Sequence, residues 1–227
     1  MKKNICPLCD TLVEKDNIGC YTHKDIEAPI NKCDSCNYCF VDCTYYSSED
    51  LYKHQSKHAN KFGNNHDRSR KYVKFLEEHS KNINIESVLE IGTPKDTYFL
   101  KIINEKFGDS KKIFSHDLIK NKLPEYVEFI NDLKDLESKP VDVLFCIHVL
   151  EHIPPHQVKS FVEQCKAACK YYVFEVPKCE NKKRVLESST NPHYSFFTLS
   201  SLKEIFGDNV EFIEGQETIS LHNIPKD

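Results

Sequence analysis

Cys6-Pro-Leu-Cys9 and Cys33-Asp-Ser-Cys36 are two C-x2-C pairs separated by 23 residues. Each pair presents two thiols from one tight turn. Two such turns complete a tetrahedron of thiolates around a zinc ion, with no position left open for substrate. That chemistry is structural. Further cysteines leave the ligand set open: Cys36 and Cys39 form an overlapping C-x2-C pair, Cys20 and His23 could stand in for the second pair, and Cys43 is a spare. Eight such groups could also hold two ions.

A second set of residues could do a different chemistry. The run Val141–Ile147 is apolar throughout except for Asp142 and stops at His148, with Glu151 and His152 close behind. Histidine titrates near neutral pH and suits proton transfer, and a carboxylate beside it can orient it or bind a metal. His193 lies further on, in Asn191-Pro192-His193-Tyr194-Ser195-Phe196-Phe197-Thr198. His152 and His193 are therefore the candidate bases for an acceptor hydroxyl, with Glu151 as their partner. The plainer alternative is that Glu151 and His152 only cap the helix expected after Pro154-Pro155.

These residues need elements to position them. Seven of the 11 cysteines lie before residue 44, and residues 1 to about 45 show short extended pieces without helical period. Residues 46 to about 81 are polar and predict two helices. The first is capped at Ser47 or Ser48, and the second runs from about Asp67 to His79. From Ile85 onward strands and helices alternate: strands at 85–91, 112–116, 127–130, 141–147 and 171–176, and helices at 98–107, 155–169 and 198–206. A strand pair at 210–213 and 218–221 closes the chain. The pattern predicts an α/β fold, a doubly wound sheet preceded by a small zinc ribbon. The domains expected are a ribbon at 1–45, a helical linker or lid at 46–81, and a Rossmann-like domain at 82–227.

In such a sheet ligands bind at the carboxyl ends of the strands. Reading strand by strand, those ends carry Glu90, Gly92 and Thr93, then Asp117, then Asp132 and Leu133, then His148, Glu151 and His152. Asp117, about 25 residues past Gly92, can accept both ribose hydroxyls of a nucleoside. Asp132 and Leu133 suit an exocyclic amine and an adenine face. Singly each is a strand-end polar residue; together they outline a nucleoside pocket.

The segments Val88-Leu89-Glu90-Ile91-Gly92, Asp117, Asp142-Val143 and Leu150-Glu151-His152-Ile153-Pro154, with the stretch 191–198 and Leu202, resemble class I S-adenosylmethionine-dependent methyltransferases from about residue 70 onward. The paired knuckles ahead of them resemble the zinc-binding leader of sugar and other small-molecule methyltransferases. A ribosomal RNA methyltransferase group also carries a zinc module. The resemblance implies S-adenosyl-L-methionine as cofactor. Glu90 and Gly92 would shape the pocket for its methionine part, with Thr93 following in the same loop. Asp117 would hold the ribose, Asp132 the adenine amine, and His148 would lie near the sulfonium. The first loop departs from the family pattern. It reads Gly92-Thr93-Pro94-Lys95-Asp96-Thr97, with one glycine only, and Pro94 lacks an N–H.

Three functions follow as expectations. The first is methyl transfer to a small, anionic acceptor such as a nucleotide-linked sugar, with Lys178, Lys182, Lys183 and Arg184 after the fifth strand as its basic contact. The second is RNA methylation, with residues 53–81 (eight Lys or Arg against three acids) against the nucleic acid. The third is a catalytically degenerate binding module, motivated by the altered loop. His54 and His58, four apart, have no third ligand nearby and read as surface residues. Cys146, Cys165 and Cys169 read as small buried hydrophobes. Net charge is −4, no apolar stretch reaches membrane-span length, and the first residues lack the apolar core of a signal peptide, so a cytoplasmic protein is expected. The sequence does not set the oligomeric state.

Overall fold

The computed structural model describes residues 4–13, 17–23, 26–43, 46, 66–118 and 120–225. The expected helix beginning at Ser47 or Ser48, and the pair His54 and His58, lie outside the described residues, as does the side chain of His23.

A two-stranded ribbon, β1 (Asn4–Ile5) and β2 (Leu12–Val13), begins the chain. Then come β3 (Asn17–His23), β4 (Ile26–Lys32) and β5 (Cys39–Val41), followed by α1 (His66–His79), β6 (Ser87–Ile91), α2 (Tyr98–Phe107), β7 (Lys112–His116), β8 (Val127–Phe129) and β9 (Val141–Ile147). The rest is α3 (Val158–Ala167), β10 (Cys169–Pro177), α4 (Lys182–Ser188), β11 (Ser195–Phe196), α5 (Leu199–Phe206), β12 (Glu211–Glu214) and β13 (Thr218–His222). Seven strands form one sheet in the order β12-β13-β10-β9-β6-β7-β8, and four form another in the order β11-β5-β4-β3.

The chain divides into two compact units. One comprises residues 1–55, 148–163 and 174–221; the other comprises 56–147, 164–173 and 222–227. In the second unit β6 pairs in parallel with both β7 and β9, and β7 pairs in parallel with β8. The chain leaves β6 toward β7 and β8, then returns to β9 on the other side of β6. That reversal is the switch point at which open α/β sheets take ligands. Strand β9 is buried on both faces from Val141 to Cys146, which is why its sequence is nearly continuously apolar. Tyr72, Val73 and Leu76 of α1 and Phe99, Leu100 and Ile103 of α2 cover one face, over Val88, Ile113, Val143 and Phe145.

In the first unit Tyr21, Ala28, Ile30, Cys39, Val41 and Cys43 pack with Cys179, Val185, Tyr194 and Phe196 in one core. The four-stranded sheet explains the grouping. β11, from far along the chain, pairs antiparallel with β5, placing Ser195 opposite Phe40 and Phe196 opposite Cys39.

One local expectation is corrected. The helix expected to run to Cys169 ends at Ala167, after a single 3-10 turn at Pro155–Gln157, and Cys169 begins β10. Cys165 and Cys169 are therefore not two residues of one helix face, though both are buried. Lys182, Lys183 and Arg184, which follow the fifth strand as expected, open helix α4, which is capped by the Asn181 side chain accepting from the Arg184 N–H. The predicted helix 98–107 and the Thr198-capped helix ending at Gly207 stand as read, the latter with a capping box through Ser201. No helix among the described residues is long and apolar enough to cross a membrane.

Candidate functional site

The cysteine cluster lies in the first unit. The sulfurs of Cys6, Cys9, Cys33 and Cys36 gather within 4.8 Å of one another. Cys6 and Cys36 Sγ are 3.7 Å apart, and Cys9 and Cys33 Sγ are 3.5 Å apart. A tetrahedron with zinc–sulfur bonds of about 2.3 Å places its sulfurs about 3.8 Å apart, so the four fit zinc. The residue after each knuckle is left-handed, Asp10 at φ 58° and Asn37 at φ 56°, and Asp and Asn are residue types that adopt this conformation readily. The Cys36 thiol hydrogen-bonds Cys6, and that one contact lowers Cys6 while raising Cys36. The rival ligands lie elsewhere. Cys20 is exposed and faces Glu27, while Cys39 and Cys43 are buried in the apolar core with Tyr21, Ile30 and Val41.

The second unit carries the nucleoside-type residues. Strand β6 ends at Gly92, which turns with φ 76° and donates its N–H to the His116 carbonyl at 2.9 Å. That left-handed turn is where the motif needs glycine. The Thr93 side chain is buried and points inward: its hydroxyl accepts from Ser115 Oγ at 2.8 Å, and its carbonyl accepts from Asn121 Nδ2 at 3.0 Å. Thr93 thus shapes the loop from beneath. Thr97 closes the loop in a left-handed conformation at φ 51°, just ahead of α2. Glu90 is buried, and its Oε2 has no hydrogen-bond partner among the described residues. Burial, with Asp96 and Asp117 adding to it, raises the Glu90 carboxyl to about 8. A cationic or N–H-bearing ligand would relieve it. Asp117 follows β7 and is half-buried. Asp132 is exposed and caps the turn Leu133–Leu136 by accepting from the Lys134 N–H at 3.0 Å, while Leu133 is buried.

The histidine cluster lies in the first unit. After β9 the chain turns sharply at His148, whose φ is 55°, and its N–H bonds the Glu175 carbonyl at 2.9 Å. Its ring is set between two buried carboxylates: Nδ1 is 3.1 Å from Glu151 and Nε2 is 3.3 Å from Glu175. Burial alone would raise Glu151; the His148 imidazole outweighs it and, with lesser help from His152 and His193, holds this carboxyl at about 2.

Glu151 and His152 form a single turn, Leu150–His152, and the Tyr194 N–H bonds the Glu151 carbonyl at 2.8 Å. That bond brings the 191–198 stretch alongside, so the rings of His152 and His193 meet edge to face with centroids 4.8 Å apart. A ligating atom of each of Glu151, His152 and His193 lies within 4.8 Å of the others. Burial, and after it the His152 ring, lowers His193 to about 3, leaving a neutral imidazole at physiological pH. The three acceptor-side residues expected from sequence are therefore brought together.

Sequence reasoning missed Glu175 and Ser188. Glu175 sits in the middle of an apolar strand, and the acid in that run was the available signal. The basic cluster is largely compensated. Lys178 pairs with Glu214 at 2.6 Å and Glu180 at 3.1 Å, and Arg184 approaches Glu187 and Glu217. Lys183 remains largely in solvent.

Residues 64–209 match a family described as Methyltransferase domain. No curated protein matches the chain. Among solved structures, the chain is similar to a SAM dependent methyltransferase from Archaeoglobus fulgidus, with 14% identity over 78% of this chain and 99% of that one, at a TM-score of 0.53. It is also similar to the 1,6-didemethyltoxoflavin-N1-methyltransferase of Burkholderia thailandensis, solved with 1,6-didemethyltoxoflavin and S-adenosylhomocysteine: 14% identity, 88% and 96% coverage, TM-score 0.56. A third is the magnesium protoporphyrin IX methyltransferase of Synechocystis PCC 6803, solved with SAH, at 13% identity, 80% and 95% coverage and TM-score 0.52. At these identities the likeness is one of fold.

Proposed function

The chain belongs to the methyltransferase domain family, and from that premise we propose that it transfers a methyl group from S-adenosyl-L-methionine to a small acceptor, an anionic one such as a nucleotide-linked sugar. The cofactor supplies a methyl carbon made electrophilic by the sulfonium. The residues proposed to hold it are Glu90, Gly92, Thr93, Asp117, Asp132, Leu133 and His148. Glu90 carries the reading: a buried carboxyl with an unpartnered oxygen, at the end of the strand beside the switch point, suits the amine end of an amino-acid cofactor. Asp117, half-buried at the next strand end, suits the ribose hydroxyls.

Glu151, His152 and His193 are proposed to manage the acceptor. An ionised Glu151 carboxylate beside the neutral His193 imidazole can orient a hydroxyl and take its proton. Lys182 and Lys183 at the start of α4 are the cations offered to an anionic acceptor. Cys6, Cys9, Cys33 and Cys36 are proposed to bind one structural zinc ion, and the division into ribbon, linker and Rossmann-like domain is kept as the reading of how the chain is organised.

A second reading, a module that binds without transferring, draws on the Gly92–Thr97 loop, where Thr93 and Thr97 stand in place of further glycines. Calorimetric titration with S-adenosyl-L-methionine separates the two. Transfer requires saturable heat, and absence of heat at millimolar cofactor would end the transfer reading. Radiolabelled methyl transfer to nucleotide sugars and to RNA, run side by side, then identifies the acceptor class.

A further inference from the structure

We propose that Glu151, His152 and His193 form a binding site for one divalent first-row transition-metal ion, separate from the cysteine cluster, with coordination positions left for a substrate oxygen. The ligating atoms of the three lie within 4.8 Å of one another, a spacing one ion can bridge after small side-chain adjustments. Two imidazoles and one carboxylate are a donor set suited to manganese, iron or zinc, and too nitrogen-rich for calcium or magnesium.

The neighbours of these ligands are arranged as metal sites require. His152 Nδ1 is 2.9 Å from the Pro192 carbonyl oxygen. A carbonyl can only accept, so Nδ1 carries the proton and the Nε2 lone pair is the one presented. His193 Nδ1 is 2.7 Å from Ser188 Oγ, a contact that holds the ring's orientation. A ligating histidine held by its other nitrogen is the usual outer arrangement of a metal centre. His152 and His193 are both partly exposed as residues.

The surroundings of the carboxylate point the same way. Glu151 and Glu175 are both buried, with His148 between them. Neither Glu151 oxygen accepts an aligned hydrogen bond among the described residues, although Oε1 faces His148. A divalent ion would give this buried carboxylate a directly aligned partner.

The site stands on this geometry; its use rests on the transfer reading above. There the ion would take the acceptor's hydroxyl oxygen and lower its pKa, the proton passing to solvent in place of His152 or His193, whose lone pairs the ion would hold.

Manganese tests the site, because thiolate clusters bind it poorly. Full-length protein carrying zinc is titrated with Mn2+ alone, and free Mn2+ is followed by electron paramagnetic resonance. One Mn2+ per chain is expected, with affinity reduced ~10–100-fold or more in Glu151→Gln and His193→Gln. Zinc content and circular dichroism of the variants verify that they fold. As an independent measurement, added Co2+ should give visible d–d bands without thiolate charge-transfer absorption. Failure to bind Mn2+ at millimolar concentration, or equal affinity in both variants, would overturn the site. Calorimetry with S-adenosyl-L-methionine keeps the two readings apart. Cofactor heat without a Mn2+ site sinks the metal proposal alone, and a Mn2+ site without cofactor heat upholds the site and sinks transfer.

Discussion

Ser87 and Asp142 hold one another in both directions: Asp142 Oδ2 accepts from the Ser87 N–H and hydroxyl, each at 2.9 Å, and the Asp142 N–H donates to Ser87 Oγ at 2.8 Å. Ser87 opens β6 and Asp142 is the second residue of β9, so the pair fixes the two strands that flank the switch point. The Glu86 N–H adds a third bond to the same oxygen at 2.7 Å, and Lys170 pairs with Oδ1.

Asp142→Ala removes the acceptor for these donors while leaving them in place. Hydrogen bonds to a charged group are worth about 1.5–3 kcal/mol, and an orphaned backbone N–H adds a desolvation cost. A loss of about 2–4 kcal/mol is expected in urea unfolding. Ser87→Ala, which keeps the Glu86 and Ser87 N–H bonds, should lose about 1 kcal/mol. Equal losses in the two variants would contradict the carboxylate's central part.

Zinc is expected at one ion per chain. Cys6→Ser and Cys33→Ser should lose it, and Cys39→Ser and Cys43→Ser should retain it. The consequence reaches the histidine cluster, because the ribbon supports it. β5 pairs with β11, and the Val41 N–H bonds the Tyr194 carbonyl at 2.9 Å, one residue from His193. Since metal binding energy is folding energy in small modules, chelation should lower the melting temperature by roughly 10 °C or more. Two ions per chain by elemental analysis, or retention of zinc in Cys33→Ser, would refute the assignment.

Glu90 predicts a pH dependence. Its carboxyl rises from 4.5 to about 8 on folding, so between those values the folded chain holds a proton that the unfolded chain has released. Its contribution is complete below about pH 4.5 and is lost as pH rises toward 8. Glu90→Gln cannot ionise, so its melting temperature should fall less than that of the wild type from pH 5 to pH 8. Parallel profiles would mean that Glu90 is not held neutral.

How much of this was legible in sequence depended on whether the signal was local. The knuckles, β9 and α2 were readable because spacing, a continuous apolar run and helical period are carried by neighbouring residues. The alternation of elements also gave the sheet. The pairing of β11 with β5 left no local trace, since Ser195 and Phe196 meet Phe40 and Cys39 only through the tertiary fold. Helix α4 was hidden by its charge; Val185 is its one buried apolar residue, and the Asn181 cap was the available clue. Asp142 was visible as an acid in a strand, but its work depends on register with Ser87. In the same way, histidines at 152 and 193 were readable as chemistry, whereas the Pro192 carbonyl and Ser188 hydroxyl that orient them were not.

His148 offers the sharpest test of the electrostatics. Its ring lies between Glu151 and Glu175, and it is held in the left-handed region, which Asn also tolerates. His148→Asn therefore keeps the backbone and removes the imidazole that faces both buried carboxylates. Removing one partner of a buried pair costs about 3–5 kcal/mol. Glu175 retains Ser220 Oγ at 3.0 Å as a donor, and a glutamine there can keep that bond. Adding Glu175→Gln to His148→Asn removes one of the two neighbouring buried carboxylates and should recover about half of the loss, whereas Glu175→Gln alone should destabilise the wild type. That change of sign between backgrounds is a coupling of about 2–3 kcal/mol in a double-mutant cycle, measurable by chemical denaturation. Simple additivity would show that His148 is a packing residue and that the carboxylates are balanced elsewhere.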